Sequence, residues 1–162
     1  MAANYALSHC GDDPARPVNP EYHFFDYDCT NFVAQCWNAA GLSSAYDYYC
    51  DGKYFNSYHW INVDEFYNYV ITHDIARVEY SSVSIKPGDI IQFRYKYENG
   101  SESWEHSAII TGYASDGGLC YTGHSTVDDP RYNKPLSDIY PYKTNVIEVR
   151  FLVPLYPTYY CS

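Results

Sequence analysis

Thiol attack on a carbonyl needs a nucleophilic sulfur, a base within about 2.6–3.2 Å of it, and a third group that orients the base. The sequence holds a candidate for each. Cys29 sits in the run Asp28-Cys29-Thr30-Asn31-Phe32-Val33-Ala34-Gln35, which reads as a helix opening on a cysteine. Asp28 suits the N-cap, because its carboxylate can accept from the free N–H groups of the first turn. At that end of a helix, dipole and N–H groups favour a thiolate and can lower the thiol pKa from about 8.5 to roughly 7.5 or below. The alternative is a buried structural cysteine at a helix start.

Six histidines could supply the base. His106 opens the segment His106-Ser107-Ala108-Ile109-Ile110-Thr111-Gly112, and His124 lies just past Leu119-Cys120-Tyr121-Thr122. The turn Asp116-Gly117-Gly118 makes these two segments an antiparallel pair. In such a pair the start of one strand faces the end of its neighbour, so His106 and His124 are expected side by side at the sheet rim. Rim histidines bonded to loop backbone are the alternative.

The elements that must position these groups follow from local pattern. Residues 2–9 favour a short helix, ended by Gly11-Asp12-Asp13-Pro14. In the cysteine helix, Phe32, Val33, Cys36, Trp37 and Ala40 fall on one face, and Gly41 supplies a left-handed stop. From Leu42 to Tyr58 the chain reads as an irregular, tyrosine-rich loop of the length that usually carries function. Asn62 caps a second helix with Glu65 three residues on. After His73 the apolar period changes from near four to two. Lys86-Pro87-Gly88-Asp89 is a turn before the strand Ile90–Tyr95, and Asn99-Gly100 is a hairpin signal. A long loop with Pro130 and Pro135 precedes a last strand near Val146–Val153. Helices first and antiparallel strands later give an α+β class, in one domain spanning 1–162.

Composition narrows the function classes. A formal net charge of −10 argues against nucleic acid, which needs a basic field, and against docking by charge onto anionic lipid. No run is long and apolar enough for membrane insertion. The 21 tyrosines suit polar, ring-stacking contacts, or a tyrosine-rich β core and rim. The cysteines at 10, 29, 36, 50, 120 and 161 lack clustered metal-ligand spacing. Cys10 and Cys161, near the two termini, are expected to form a disulfide; Cys36 is expected to be a buried, inert thiol. The chain reads as a mature, secreted domain.

Three segments together carry a resemblance: Asp28–Gln35, Gly88-Asp89-Ile90-Ile91-Gln92-Phe93, and His106–Gly112. They resemble the putative amidase domain of secreted bacterial proteins, a family grouped with papain-like cysteine peptidases and amidases beside the NlpC-type and CHAP cell-wall hydrolases. Asn19-Pro20-Glu21-Tyr22, Trp60-Ile61-Asn62 and Gly123-His124-Ser125-Thr126 fall in the same order, while the 42–58 loop and Cys50 have no match. The resemblance implies a minimal papain-like fold, with the catalytic helix packed on a small antiparallel sheet. It implies Cys29 as nucleophile, His106 as base and later acid, and His124 as the group holding the tautomer of His106. Asp128 and Asn133 remain alternatives for that third role. The Cys29 backbone N–H would donate to the oxyanion, with Tyr22 as a second donor and Asp28 as cap. Such hydrolysis needs no metal or organic cofactor.

The implied activity is cleavage of a peptide or peptidoglycan amide outside the cell, with other domains of a larger secreted parent as partners. A catalytically inactive saccharide- or peptide-binding module, using the 46–58 tyrosines and the three tryptophans, is a different class on the same fold. An acyltransferase shares the first half-reaction with the hydrolase.

Overall fold

The structure is a computed structural model that describes residues 1–42, 46–50, 53–56, 58–124, 130–141 and 144–155, and between 46 and 59 the backbone only. Its elements are α1 (Ala2–His9), α2 (Cys29–Ala39), β1 (Tyr46–Cys50), β2 (Lys53–Asn56), α3 (Tyr58–Ile61), α4 (Val63–Thr72), β3 (Ala76–Glu79), β4 (Ile90–Lys96), β5 (Glu102–Tyr113), β6 (Leu119–His124), β7 (Pro130–Pro135) and β8 (Val146–Pro154). The class is α+β. Strands β3 to β8 form one six-stranded antiparallel sheet in the order β3-β8-β4-β5-β6-β7. Among the described residues no helix is long and apolar enough to cross a membrane.

The sheet has two apolar faces, as strand alternation requires. On one, Ile90, Ile109 and Leu152 pack against Phe32, Val33, Cys36 and Trp37 of α2, with Ala2 and Ala6 of α1 and Phe66 and Val70 of α4. On the other, Ile91, Phe93, Ala108, Ile110, Tyr121 and Phe151 pack under Ile85 and Leu136. Every residue from Cys29 to Trp37 is buried, so α2 is enclosed nearly all round rather than along one stripe. It ends at Gly41, φ +76°, where the Leu42 N–H reaches the Trp37 carbonyl. Trp37 Nε1 donates to the Gly88 carbonyl at 2.9 Å, which ties the helix to the Gly88-Asp89 turn. Asn62 caps α4 as expected, accepting from the N–H groups of Asp64 and Glu65.

Three expectations are corrected. The 42–58 segment is not wholly irregular: β1 and β2 pair as an antiparallel hairpin. The stretch from Pro130 to Pro135 is not loop but β7, an edge strand, where proline costs no ladder bond that faces solvent. Cys10 is a free, buried thiol, so the disulfide with Cys161 is not formed; Cys161 itself lies outside the described residues. Cys36 is fully buried, and burial pushes its thiol well above the usual value.

Candidate active site at the start of α2

Asp28 occupies the N-cap position, but its side chain makes no capping bond. Its Oδ1 instead accepts from the Phe25 N–H at 3.0 Å and from Asn31 Nδ2 at 2.8 Å, while Asn31 Nδ2 also donates to the His23 carbonyl. The carboxylate thereby folds the 23–28 segment back onto the helix start. Its other oxygen, Oδ2, stands 3.6 Å from Nδ1 of His124. That imidazole is 3% exposed, stacked on Phe24 with ring centroids 5.4 Å apart and tilted against Phe32 at 4.3 Å. Among the described residues its Nδ1 has no hydrogen-bond partner, since 3.6 Å is beyond bonding distance. Burial pushes the Asp28 carboxyl up to about 6 despite the two donors that favour its charged form. Burial, reinforced by the nearby His106, pushes His124 down to about 4. Near pH 7 the pair is therefore an ionised Asp28 facing a neutral His124.

Cys29 is 6% exposed. Its thiol lies 3.8 Å from Thr30 Oγ1 and donates to the Glu105 carbonyl at 3.9 Å. Burial raises its pKa, and bonds from the Ser107 backbone and Thr30 offset part of that rise. The expected lowering by the helix start is thus outweighed: desolvation acts on the whole charge, whereas the dipole contributes a fraction of one. A buried polar chain supports this floor. Thr30 Oγ1 is 3.4 Å from Ser107 Oγ, and Gln92 Nε2 donates to Ser107 Oγ and to the Val63 carbonyl. Arg150 Nε donates to Gln92 Oε1 at 2.8 Å, with the guanidinium between the rings of Tyr67 and Trp104.

The histidine pair departs from the expected arrangement. His106 pairs with Phe93 across β4–β5 and stacks on its ring at 5.5 Å, which places it on the sheet face away from α2. It lines a cavity of about 190 Å³ with Tyr95, Tyr121, Arg131 and Val146. His124 lies on the α2 face with Phe32. The cause is a bulge in the β5–β6 ladder between Ile110 and Gly112. Beyond it Ile109 pairs with Thr122, and continuing that register sets His124 opposite Ser107 instead of Ala108. A one-residue shift exchanges faces. The two imidazoles are still close enough for one to lower the pKa of the other.

Two of the remaining candidates have partners of their own. The Tyr22 hydroxyl accepts from Asn38 Nδ2 at 3.1 Å. Asn38 lies nine residues along α2 from Cys29, roughly 13 Å at the helical rise, while Tyr22 also lines the cavity of about 220 Å³ that reaches Asp28 and His124. Asn133 Oδ1 accepts from Thr111 Oγ1 at 3.0 Å and its N–H donates to Thr122 Oγ1; it orders β7 on β6 rather than a histidine. Asp128 lies outside the described residues. The structure brings Asp28, the residue before Cys29, against His124, and sets the Cys29 thiol by the Glu105 carbonyl, one residue before His106. The role of Asp28 beside His124, with Phe24 stacked on that ring, was missed from sequence. The only signal was an aspartate directly before the cysteine.

The fold and this cluster define an α+β domain with a thiol at a helix start and a carboxylate–imidazole pair beside it. The model of the putative amidase domain family matches residues 1–151, and the chain belongs to that family. The chain is also similar to the Uncharacterized protein YjcM of Bacillus subtilis (strain 168), 26% identical over 121 residues. That match covers 70% of this chain and 28% of the relative, so the chain spans less than a third of the relative's length. No solved structure matches the chain.

Proposed function

We propose that this domain hydrolyses amide bonds through the Cys29 thiol, with His124 as base and Asp28 as the group that orients it, on a minimal papain-like fold. Membership of an amidase family supports amide hydrolysis as the reaction class. The observation that carries the residue assignment is the 3.6 Å approach of a buried carboxylate to a buried, neutral imidazole, one residue before the cysteine. A proton on Nδ1 facing Asp28 leaves the Nε2 lone pair free to take the thiol proton. Catalytic hydrogen bonds are often long without substrate and tighten in the complex. Attack forms the S–C bond to the carbonyl and places negative charge on its oxygen, for which the Cys29 N–H is the donor at hand. The imidazolium returns its proton to the departing amine, and water then releases the acid from the thioester.

In the arrangement that the family resemblance implies, His106 holds the base role; its electrostatic coupling to His124 favours keeping it in the test. With peptide amides as substrates, His124→Ala abolishes turnover and His106→Ala retains at least a tenth of it. The reverse pattern moves the base to His106. The substrates in this reading are peptidoglycan stem peptides or other extracellular peptides, reached from a secreted parent with further domains. The net charge of −10 suits peptide ends better than anionic wall polymers. The raised Cys29 pKa favours one competing reading, a binding module on the same fold, in which both histidine variants leave ligand binding and thiol reactivity unchanged.

A further inference from the structure

Between the α1–α2 connection and the sheet lies a cavity of about 550 Å³, lined by Pro14, Pro17, Val18, Phe24 and His124, with Asp12 and Asp13. A second cavity of about 220 Å³ shares Val18, Phe24 and His124 with it and reaches Asp28. We propose that the larger cavity is the subsite for an uncharged aliphatic or aromatic side chain of a peptide substrate, adjoining the amide that is cleaved beside His124; the inference rests on the hydrolase reading above.

Three observations converge on that ligand. The larger cavity is walled by Pro14, Pro17, Val18 and Phe24, which reward apolar surface removed from water, whereas polar side chains such as Asn19, His23 and Gln35 line the smaller one. The charged groups at the mouth are already committed: Asp12 is paired with Arg16 at 2.8 Å, and Asp13 lies 3.8 Å from the same guanidinium and accepts from the Ala15 N–H. A cationic side chain finds no free carboxylate on Asp12, and an anionic one meets two. Thirdly, His124 forms the inner wall with a buried Nδ1 that has no hydrogen-bond partner among the described residues, a costly state for a polar atom. A side chain seated against Phe24 covers the imidazole stacked on that ring, so its binding is read at His124.

The test uses N-acetyl-leucinamide, N-acetyl-glycinamide and N-acetyl-aspartamide as probes, with wild type and Cys29→Ala. The readout is the His124 imidazole resonance, assigned with His124→Gln. The expected result is a saturable shift with the leucine probe at least tenfold tighter than with the other two. Val18→Asp, at a position 39% exposed, should weaken leucine-probe binding at least tenfold while its unfolding midpoint stays within a few degrees of wild type. Equal shifts with all three probes, or no shift with the leucine probe, overturn the subsite. If the leucine probe binds selectively and wild type cleaves no amide, the subsite stands and the hydrolase reading falls. If wild type cleaves amides without preference for apolar neighbours, the reverse holds.

Discussion

Replacing Asp28 by Asn separates a neutral histidine–carboxylate pair from a buried ion pair by the sign of a pH dependence. Asn keeps an Oδ1 acceptor for Phe25 N–H and Asn31 Nδ2, so the local fold is preserved. In the wild type, burial raises the Asp28 carboxyl from 3.8 to about 6. Its contribution to stability is therefore full below pH 3.8 and is lost as pH rises through 6. Titration of that single group between pH 4 and pH 7 removes about 2–3 kcal/mol, taking about 1.36 kcal/mol per unit and allowing for partial ionisation at pH 4. His124 titrates in both proteins and cancels to first order. Urea unfolding of both proteins at the two pH values gives the difference directly: Asp28→Asn should gain about 2–3 kcal/mol on wild type between pH 4 and pH 7. If the variant instead loses ground as pH rises, Asp28 is held ionised by a protonated His124, and the neutral pair is wrong. A difference independent of pH refutes the burial argument as well. The same substitution turns an amide N–H toward Nδ1, favours the opposite tautomer, and should lower turnover without weakening binding of the apolar probe.

Other expectations are more local. Asn62→Ala removes the acceptor for two N–H groups at the start of α4 and should cost about 1 kcal/mol in urea unfolding without changing the m-value. Tyr22→Phe loses the bond from Asn38 Nδ2, costing about 1 kcal/mol of stability, and should leave kcat within a factor of two; a loss of kcat on the scale of a missing oxyanion donor, about a hundredfold, would make Tyr22 the second oxyanion donor. Since burial raises the Cys29 thiol, iodoacetamide should label it slowly at pH 7 in the free protein, and a fitting substrate analogue should change that rate. Rapid labelling well below pH 8 in the free protein would mean that the thiolate is already stabilised.

Features set by short-range chemistry were legible in the sequence. The α1 span, the Asn62 cap, the left-handed Gly41 and the Gly88 and Gly117 turns all need only their neighbours to be recognised. Strands were harder where pattern and composition conflict. β7 is bounded by two prolines, and β3 has four residues with one buried. The cysteine helix was placed correctly, and the candidate site was readable only as a set of residue types. What failed was the face of the sheet. A turn at Asp116–Gly118 determines which strands pair, but the Ile110–Gly112 bulge shifts the register by one residue, and one residue is enough to put His106 and His124 on opposite faces. Long-range desolvation was equally unreadable: the helix start suggested an activated thiol, and only the enclosure of α2 on all sides shows why the thiol is raised instead.

The central claim is that a Cys29 thiol carries out amide hydrolysis. Its most direct test is mass spectrometry of the products and of the intact protein after incubation with N-acetyl-leucyl peptide amides and a peptidoglycan digest. Wild type should yield products heavier in sum than substrate by one water, with a transient acyl adduct mapped to Cys29, and Cys29→Ala should yield neither. Equal hydrolysis by Cys29→Ala, or an adduct on another cysteine, would contradict the account.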